Sequence, residues 1–152
     1  MEDLVGHVFG TYPSWSHLVV RLVLGIVFFA HGAQKVFGWF GGHGLSATIA
    51  GFRQMHVPAG ATVLAAFIEC FGGLAMIVGF LARPSALGLV VVMLVAIVKV
   101  HARNGFFLNF SMTPGKGHGY EYNLALMAMA VSILIGGAGA LSIDRIIFAL
   151  GD

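Results

Sequence analysis

Four apolar runs, Leu18–Phe37, Ala59–Leu81, Ser85–Val100 and Tyr120–Leu141, constrain this chain more than anything else in it. Crossing the hydrocarbon core of a bilayer takes roughly 20 mostly apolar residues as helix. Within lipid, each backbone N–H and C=O must be satisfied inside its own segment. The runs therefore predict an all-α integral membrane protein, an antiparallel bundle of four transmembrane helices in contact with the lipid bilayer. Composition leaves no competing class, because only 9% of the 152 residues are charged and 59% are hydrophobic. A soluble domain carries about 25% charged residues. This length allows one transmembrane domain, residues 1–152. The net charge of +2 comes from scattered basic residues, which excludes a nucleic-acid partner. The one cysteine, Cys70, excludes an intrachain disulfide, a C-x-x-C redox pair and a cysteine-based zinc site. Any redox chemistry must then use a cofactor or a partner protein. The acidic stretch "MEDLVGHVFGTYPSWSH" has neither the basic region nor the small-residue cleavage site of a signal peptide.

The second and third runs are joined by the tight "ARPS" link, whose Pro84 suits the first turn of a helix. An even number of crossings puts both termini on one side and both longer loops on the other. In the first loop, Leu45, Ile49, Phe52 and His56 fall at helical spacing, with Ser46, Thr48, Arg53 and Gln54 off the stripe. That pattern predicts a short amphipathic helix lying in the membrane interface. The second loop carries Phe106, Phe107 and Phe110, an aromatic anchor of the kind found at interfaces. Its "GKGHG" lacks the strand-to-helix context of a phosphate cradle. Basic residues outside the candidate site tie, with Arg21, Arg83 and Arg145 on the terminal side against Arg53, Arg103 and Lys116 on the loop side. The long aromatic loops suit an exported surface, so the termini are expected in the cytoplasm.

Polar residues inside the runs give the chemistry. Arg21, Leu24, Phe28, His31, Lys35 and Gly38 are spaced three, four, three, four and three, one unbroken helical seam. A charge facing lipid is costly, so this seam has to look into protein. On the second run Glu69 lies near mid-membrane, flanked by Ala65, Ala66, Gly72 and Gly73, which let a neighbouring helix come close. The two runs are antiparallel, so His31 and Lys35 sit near the depth of Glu69. On the fourth run Glu121 shares a face with Ala125, Ala128, Ser132 and Gly136, read as a second packed face. Lys99, His101, Asn104 and Glu121 come to the loop-side mouth. Lys99 and His101 are two residues apart, about 200° on an α-helix, so they are not expected to face the centre together.

The candidate catalytic set is Glu69, His31 and Lys35. Candidate cofactor-binding residues are Arg21, Phe28, Gln34, Lys99, His101, Asn104 and Glu121. Apolar walls with a few convergent polar groups suit a quinone or similar amphipathic molecule. A di-metal carboxylate site needs paired Glu-x-x-His motifs, which the sequence lacks. Haem ligation by His31 and His101 is disfavoured by Lys35 beside His31 and by unequal depths. Three functions stay open on these residues: a quinone-binding oxidoreductase subunit, an anion transporter or channel, and a non-catalytic assembly or cargo factor.

At the same residues the sequence resembles the DoxX family of four-helix bacterial membrane proteins, over roughly Arg21 to Gly136. The resemblance rests on "RLVLGIVFFAHGAQKVFG", on "ECFGGLAMIVGFLARP" and on the stretch from His101 to Phe107. Family positions matched here are Arg21, Gly25, Lys35, Glu69 and Arg83. Related groups include the membrane subunit associated with thiosulfate:quinone oxidoreductase and the MauE proteins of methylamine utilisation. The gross architecture is similar to that of eukaryotic surfeit-locus cargo receptors. The resemblance implies a place in the bacterial cytoplasmic membrane and a link to redox and thiol-stress systems through protein partners, with a homo-oligomer left open. It supplies no catalytic residue set. Thiol-oxidising relatives use cysteine pairs, which a chain with only Cys70 does not have.

Overall fold

A computed structural model describes residue 6 and residues 8–151. Part of the N-terminal stretch read for a signal peptide lies outside the described residues. The described chain is all helical: α1 (Trp15–Val36), α2 (Gly44–Gln54), α3 (Ala59–Val78), α4 (Ala82–Ala96), α5 (Glu121–Gly136) and α6 (Ile143–Gly151). A π-turn (Ile97–His101) and a 3₁₀ turn (Ala102–Asn104) extend α4. Three helical segments, Trp15–Val36, Ala59–Val78 and Ala82–Asn104, are long and apolar enough to cross a membrane. With the family evidence given below, this is a multi-pass membrane protein.

The fourth run differs from expectation. Its helix spans only the 16 residues of α5, shorter than the other three. Gly137 (φ +79°) and Gly139 (φ +78°) adopt backbone that L side chains rarely take. The apolar residues that follow therefore fold back as non-helical chain. Non-helical backbone is tolerated at membrane depth only when it is buried in protein, and residues 137–140 are buried. Arg21, itself fully buried, supplies the missing donors. Its guanidinium donates to Ala138 O (2.9 Å), Ala140 O (3.4 Å) and Leu141 O (3.1 Å). It also donates to Met76 O and to Ile77 O (2.7 Å), carbonyls in the last turn of α3.

Helix α1 packs on α3 and α5, and α4 packs on α3 and α5, closing a ring around the core residues Leu24, Phe28, Met76, Leu89, Leu126 and Ile133. Glycines set the tightest seam. A Cβ on Gly32 would fall on the Cys70 backbone, and one on Gly73 would fall on the Phe29 backbone. Gly72 instead faces Leu89 and Ser85 of α4. Small residues beside Glu69 thus bring two helices close to α3, as their spacing predicts. Contacts that run Arg21 to Met76, Gly25 to Gly73 and Gly32 to Cys70 make α1 and α3 antiparallel.

The α3–α4 hairpin is braced from outside. Gly79 and Leu81 both hold left-handed backbone, and Leu81 caps α4 with no side-chain bond of its own. Asp144, buried at the start of α6, accepts Leu81 N–H (2.7 Å) and Ala82 N–H (2.8 Å), two of the donors an α-helix leaves orphaned at its start. Burial pushes the Asp144 carboxyl up from its ordinary value, while those two N–H groups and the nearby Arg21 and Arg83 pull it down. Arg83 donates to Gly10 O and to Leu134 O (2.7 Å), tying α4 to the N-terminal segment and to α5.

At the opposite end, α2 is amphipathic as predicted. Leu45, Ile49 and Phe52 are half-buried, and Ser46, Arg53 and Gln54 are exposed. Thr48 joins the inward face against expectation, where its hydroxyl is satisfied by bonding back to Gly44 O (2.8 Å). His56, placed on the stripe, is exposed just past the helix end. A second correction concerns α5. The face holding Glu121, Ala125, Ala128, Ser132 and Gly136 is not the packed one, since Ala125, Ala128 and Ser132 are exposed. The buried face holds Asn123, Leu126, Ala130 and Ile133.

Candidate ligand-binding site

Between α1, α3, α4 and α5, toward the loop end, lies a cavity of about 680 Å³. That falls within the roughly 300–1,000 Å³ of small-molecule sites. Most of its wall is apolar, with Phe28, Ala66, Val92, Met93 and Leu126 all buried around it. Segments near the loops close the other end with Phe52 and Met55, and with Leu108 and Phe110.

Set into this wall is one ion pair. Lys35 Nζ donates to Glu69 Oε1 at 2.6 Å and also contacts Oε2. The partners are unequally buried, with side chains 27% exposed for Lys35 and 5% for Glu69. Glu69 sits on the buried seam of α3 between Thr62, Ala66 and Gly73. Lys35 belongs to the last turn of α1, where a cation also meets the negative end of the helix dipole. Its ammonium lies 5.9 Å from the centre of the Phe52 ring, a cation–π distance. Thus α1, α2 and α3 each give one group to the same charge.

The other expected residues divide. His31 and Phe28 line the cavity from the α1 seam, and no hydrogen bond holds the exposed His31 ring among the described residues. Lys99 and His101 both line it, contrary to the angular argument. The cavity borders three successive residues, Lys99, Val100 and His101, so it wraps the π-turn rather than meeting one face of it. Asn104 and Glu121 act one step back from the cavity. Asn104 donates to His118 O (2.9 Å), and Glu121 accepts Leu108 N–H (2.8 Å), which together fold the second loop over the mouth. Gln34 donates to Phe40 O (3.0 Å) and shapes the α1–α2 turn. Arg21 belongs to the hairpin end with its five carbonyls and is not brought to the cavity.

Four lining residues with polar side chains escaped the sequence reading: Thr62, His118, Tyr122 and Asn123. Thr62 was findable, since it lies seven residues before Glu69 on one helical face. Asn123 was the stronger signal, an amide within an apolar run. It is buried, and its one hydrogen bond among the described residues is a 3.5 Å contact to Met93 Sδ.

The model of the family described as DoxX matches residues 16–102, more than half of the chain. The chain belongs to the DoxX family. The comparisons with curated proteins and with solved structures give no match. In this DoxX protein the matched region holds the Lys35–Glu69 pair, His31, Lys99 and His101. The cavity is completed by residues beyond it, His118, Tyr122, Asn123 and Leu126.

Proposed function

We propose that this DoxX protein is a small membrane subunit of an oxidoreductase or redox-stress system that binds a quinone or similar amphipathic carbonyl compound. One observation carries the reading: a single ammonium–carboxylate pair, Lys35–Glu69, stands in a largely apolar cavity of about 680 Å³. An apolar ring makes up its binding free energy by leaving water and lipid contacts for the wall. A Lys35 N–H can turn to donate to its carbonyl oxygen. Glu69 at hydrogen-bond distance from that ammonium can receive or return a proton, the pairing that general acid–base chemistry requires. His31, open to the cavity, is placed as a second exchanging group. Lys99, His101 and Asn123 bind from α4 and α5, and Phe28 stacks the ring.

Against the alternative of an anion transporter or channel, Arg21 is tied to carbonyls away from the cavity and Lys35 is matched by Glu69, which leaves Lys99 as the cation that reading would use. We place the protein in a bacterial cytoplasmic membrane as a four-crossing single domain with cytoplasmic termini, acting with a protein partner. Native mass spectrometry of gently extracted protein tests the reading. A quinone mass on the wild type, absent from Glu69→Gln at equal folded yield, is expected. Wild type that carries no quinone and shows no saturable binding of added ubiquinone or menaquinone overturns it.

A further inference from the structure

Helices α3 and α4 meet in the half nearer their hairpin. Gly72 meets Leu89 there, and Gly88 meets Ile68, the points where small residues let the two backbones approach. Beyond Ile68 the contact opens. Leu64 on α3 and Val91 and Val95 on α4 all line the cavity and are 62%, 50% and 48% exposed. Side chains this exposed along the cavity wall mark a place where the cavity is open. All three lie in helices long and apolar enough to cross a membrane. The opening therefore faces hydrocarbon rather than water. Of the polar lining residues, His101 and His118 are joined at the second loop, and Lys99 lies about one turn beyond Val95 toward that loop.

We infer that the slot between Leu64 and Val91/Val95 is a lateral portal, and that it holds the alkyl or prenyl chain of the ligand whose polar head meets Lys35–Glu69. The inference deepens the proposed function and rests on it for the head, while the slot stands on its own geometry. Three features fit one occupant. The slot is wholly apolar, so it has nothing to offer an ion or a water-soluble metabolite. It runs into the cavity holding the ion pair, and Glu69 is five residues from Leu64, about 7–8 Å along α3. Its outer lip is at bilayer depth, so a chain leaving the cavity there stays in hydrocarbon without leaving the membrane. A ligand dissolved in the membrane thus enters sideways and needs no passage through the folded second loop.

The test needs no knowledge of the ligand. Ala65→Cys places a thiol on the cavity wall, while the native Cys70 is buried and gives the background. In proteoliposomes, a long-chain N-alkylmaleimide dissolved in the bilayer should label Ala65→Cys, and a charged water-soluble maleimide should react roughly tenfold more slowly. Adding Val95→Trp should fill the slot and slow the alkyl reagent by roughly an order of magnitude, whereas Leu74→Trp, exposed on α3 away from the cavity, should not. Leu64→Ala should speed it, which keeps the test open if the tryptophan variant fails to fold. Equal rates for both reagents, no labelling by either, or indifference to Val95→Trp and Leu64→Ala together would overturn the portal. A portal that passes while added quinones fail to bind leaves the slot standing and removes the quinone reading.

Discussion

The Lys35–Glu69 pair makes an asymmetric prediction. Removing one partner of a buried pair costs about 3–5 kcal/mol, because the remaining charge stays uncompensated. The two charges are not equally trapped, with 5% of the Glu69 side chain exposed against 27% of Lys35. Lys35→Met leaves a carboxylate that is walled in by α1, α3 and the cavity lining. It should cost the full range, about 3–5 kcal/mol. Glu69→Gln leaves an ammonium on a flexible stem already one quarter in the open, able to turn its head toward the mouth. The glutamine oxygen still accepts one of its protons. That variant should cost about 1–2 kcal/mol, the difference between a charge-assisted and an ordinary hydrogen bond plus some residual desolvation. Combining the two removes both charges and should recover most of what Lys35→Met loses, a strongly non-additive cycle. Reversible unfolding of the four proteins in mixed detergent micelles, followed by helix content, measures all three values. Equal losses for the two single variants, or a double variant no better than Lys35→Met, would refute the geometry argued here.

Three further perturbations bear on the fold. Arg21→Lys keeps the charge but has at most three donors for carbonyls that now receive five bonds, and should lower stability by about 3 kcal/mol while leaving quinone affinity unchanged. A stability equal to wild type in the same unfolding assay would show that those carbonyls need no partner. Gly32→Ala should cost about 1–3 kcal/mol by forcing α1 off the Cys70 backbone, whereas Gly51→Ala on α2, with open space at its Cβ, should gain about 0.5–1 kcal/mol. Thermal melting of both variants checks the opposite signs. Nitrogen NMR of the histidines should find the His101 proton on Nδ1, which donates to His118 O (2.9 Å), and the neutral His118 ring protonated on Nε2, because its Nδ1 accepts Asn109 N–H (3.2 Å). The reverse tautomers would mean that the second loop folds differently.

Much of the site was legible because lipid makes polar residues informative. A basic residue and a glutamate in apolar helices have few places to go, so seam spacing on α1 and small-residue flanks on α3 put both His31 and Lys35 near Glu69, while which of them bonds it, Lys35, was not legible. The same logic misled on Arg21. It shares the seam, but a shared face says nothing about distance along the axis, and Arg21 is four turns from Lys35. Small residues also misled on α5. Ala125, Ala128 and Ser132 resemble a packing stripe, yet helices that are apolar all round carry no contrast to say which stripe is used. Asn123 pointed to the true face. The break at Gly137 was partly legible in "GGAGAL", whereas a cavity that wraps Lys99, Val100 and His101 at a π-turn has no sequence signature that spacing rules detect.

The two ends of the molecule are built on opposite principles. At the hairpin end the buried charges are spent on backbone: Arg21 and Arg83 on carbonyls, Asp144 on the N–H groups of Leu81 and Ala82. Such a fully bonded polar network has one low-energy arrangement and fixes how α1, α3, α4 and α5 meet. At the loop end the polar groups are left partly unspent. Lys35 keeps N–H capacity beyond Glu69, His31 has no bond among the described residues, and Asn123 has only a long contact to sulfur. Rigidity at one end lets the other hold these groups in a fixed geometry. In the function proposed here, an amphipathic carbonyl compound would accept a hydrogen bond from Lys35 and pack its ring against the apolar wall.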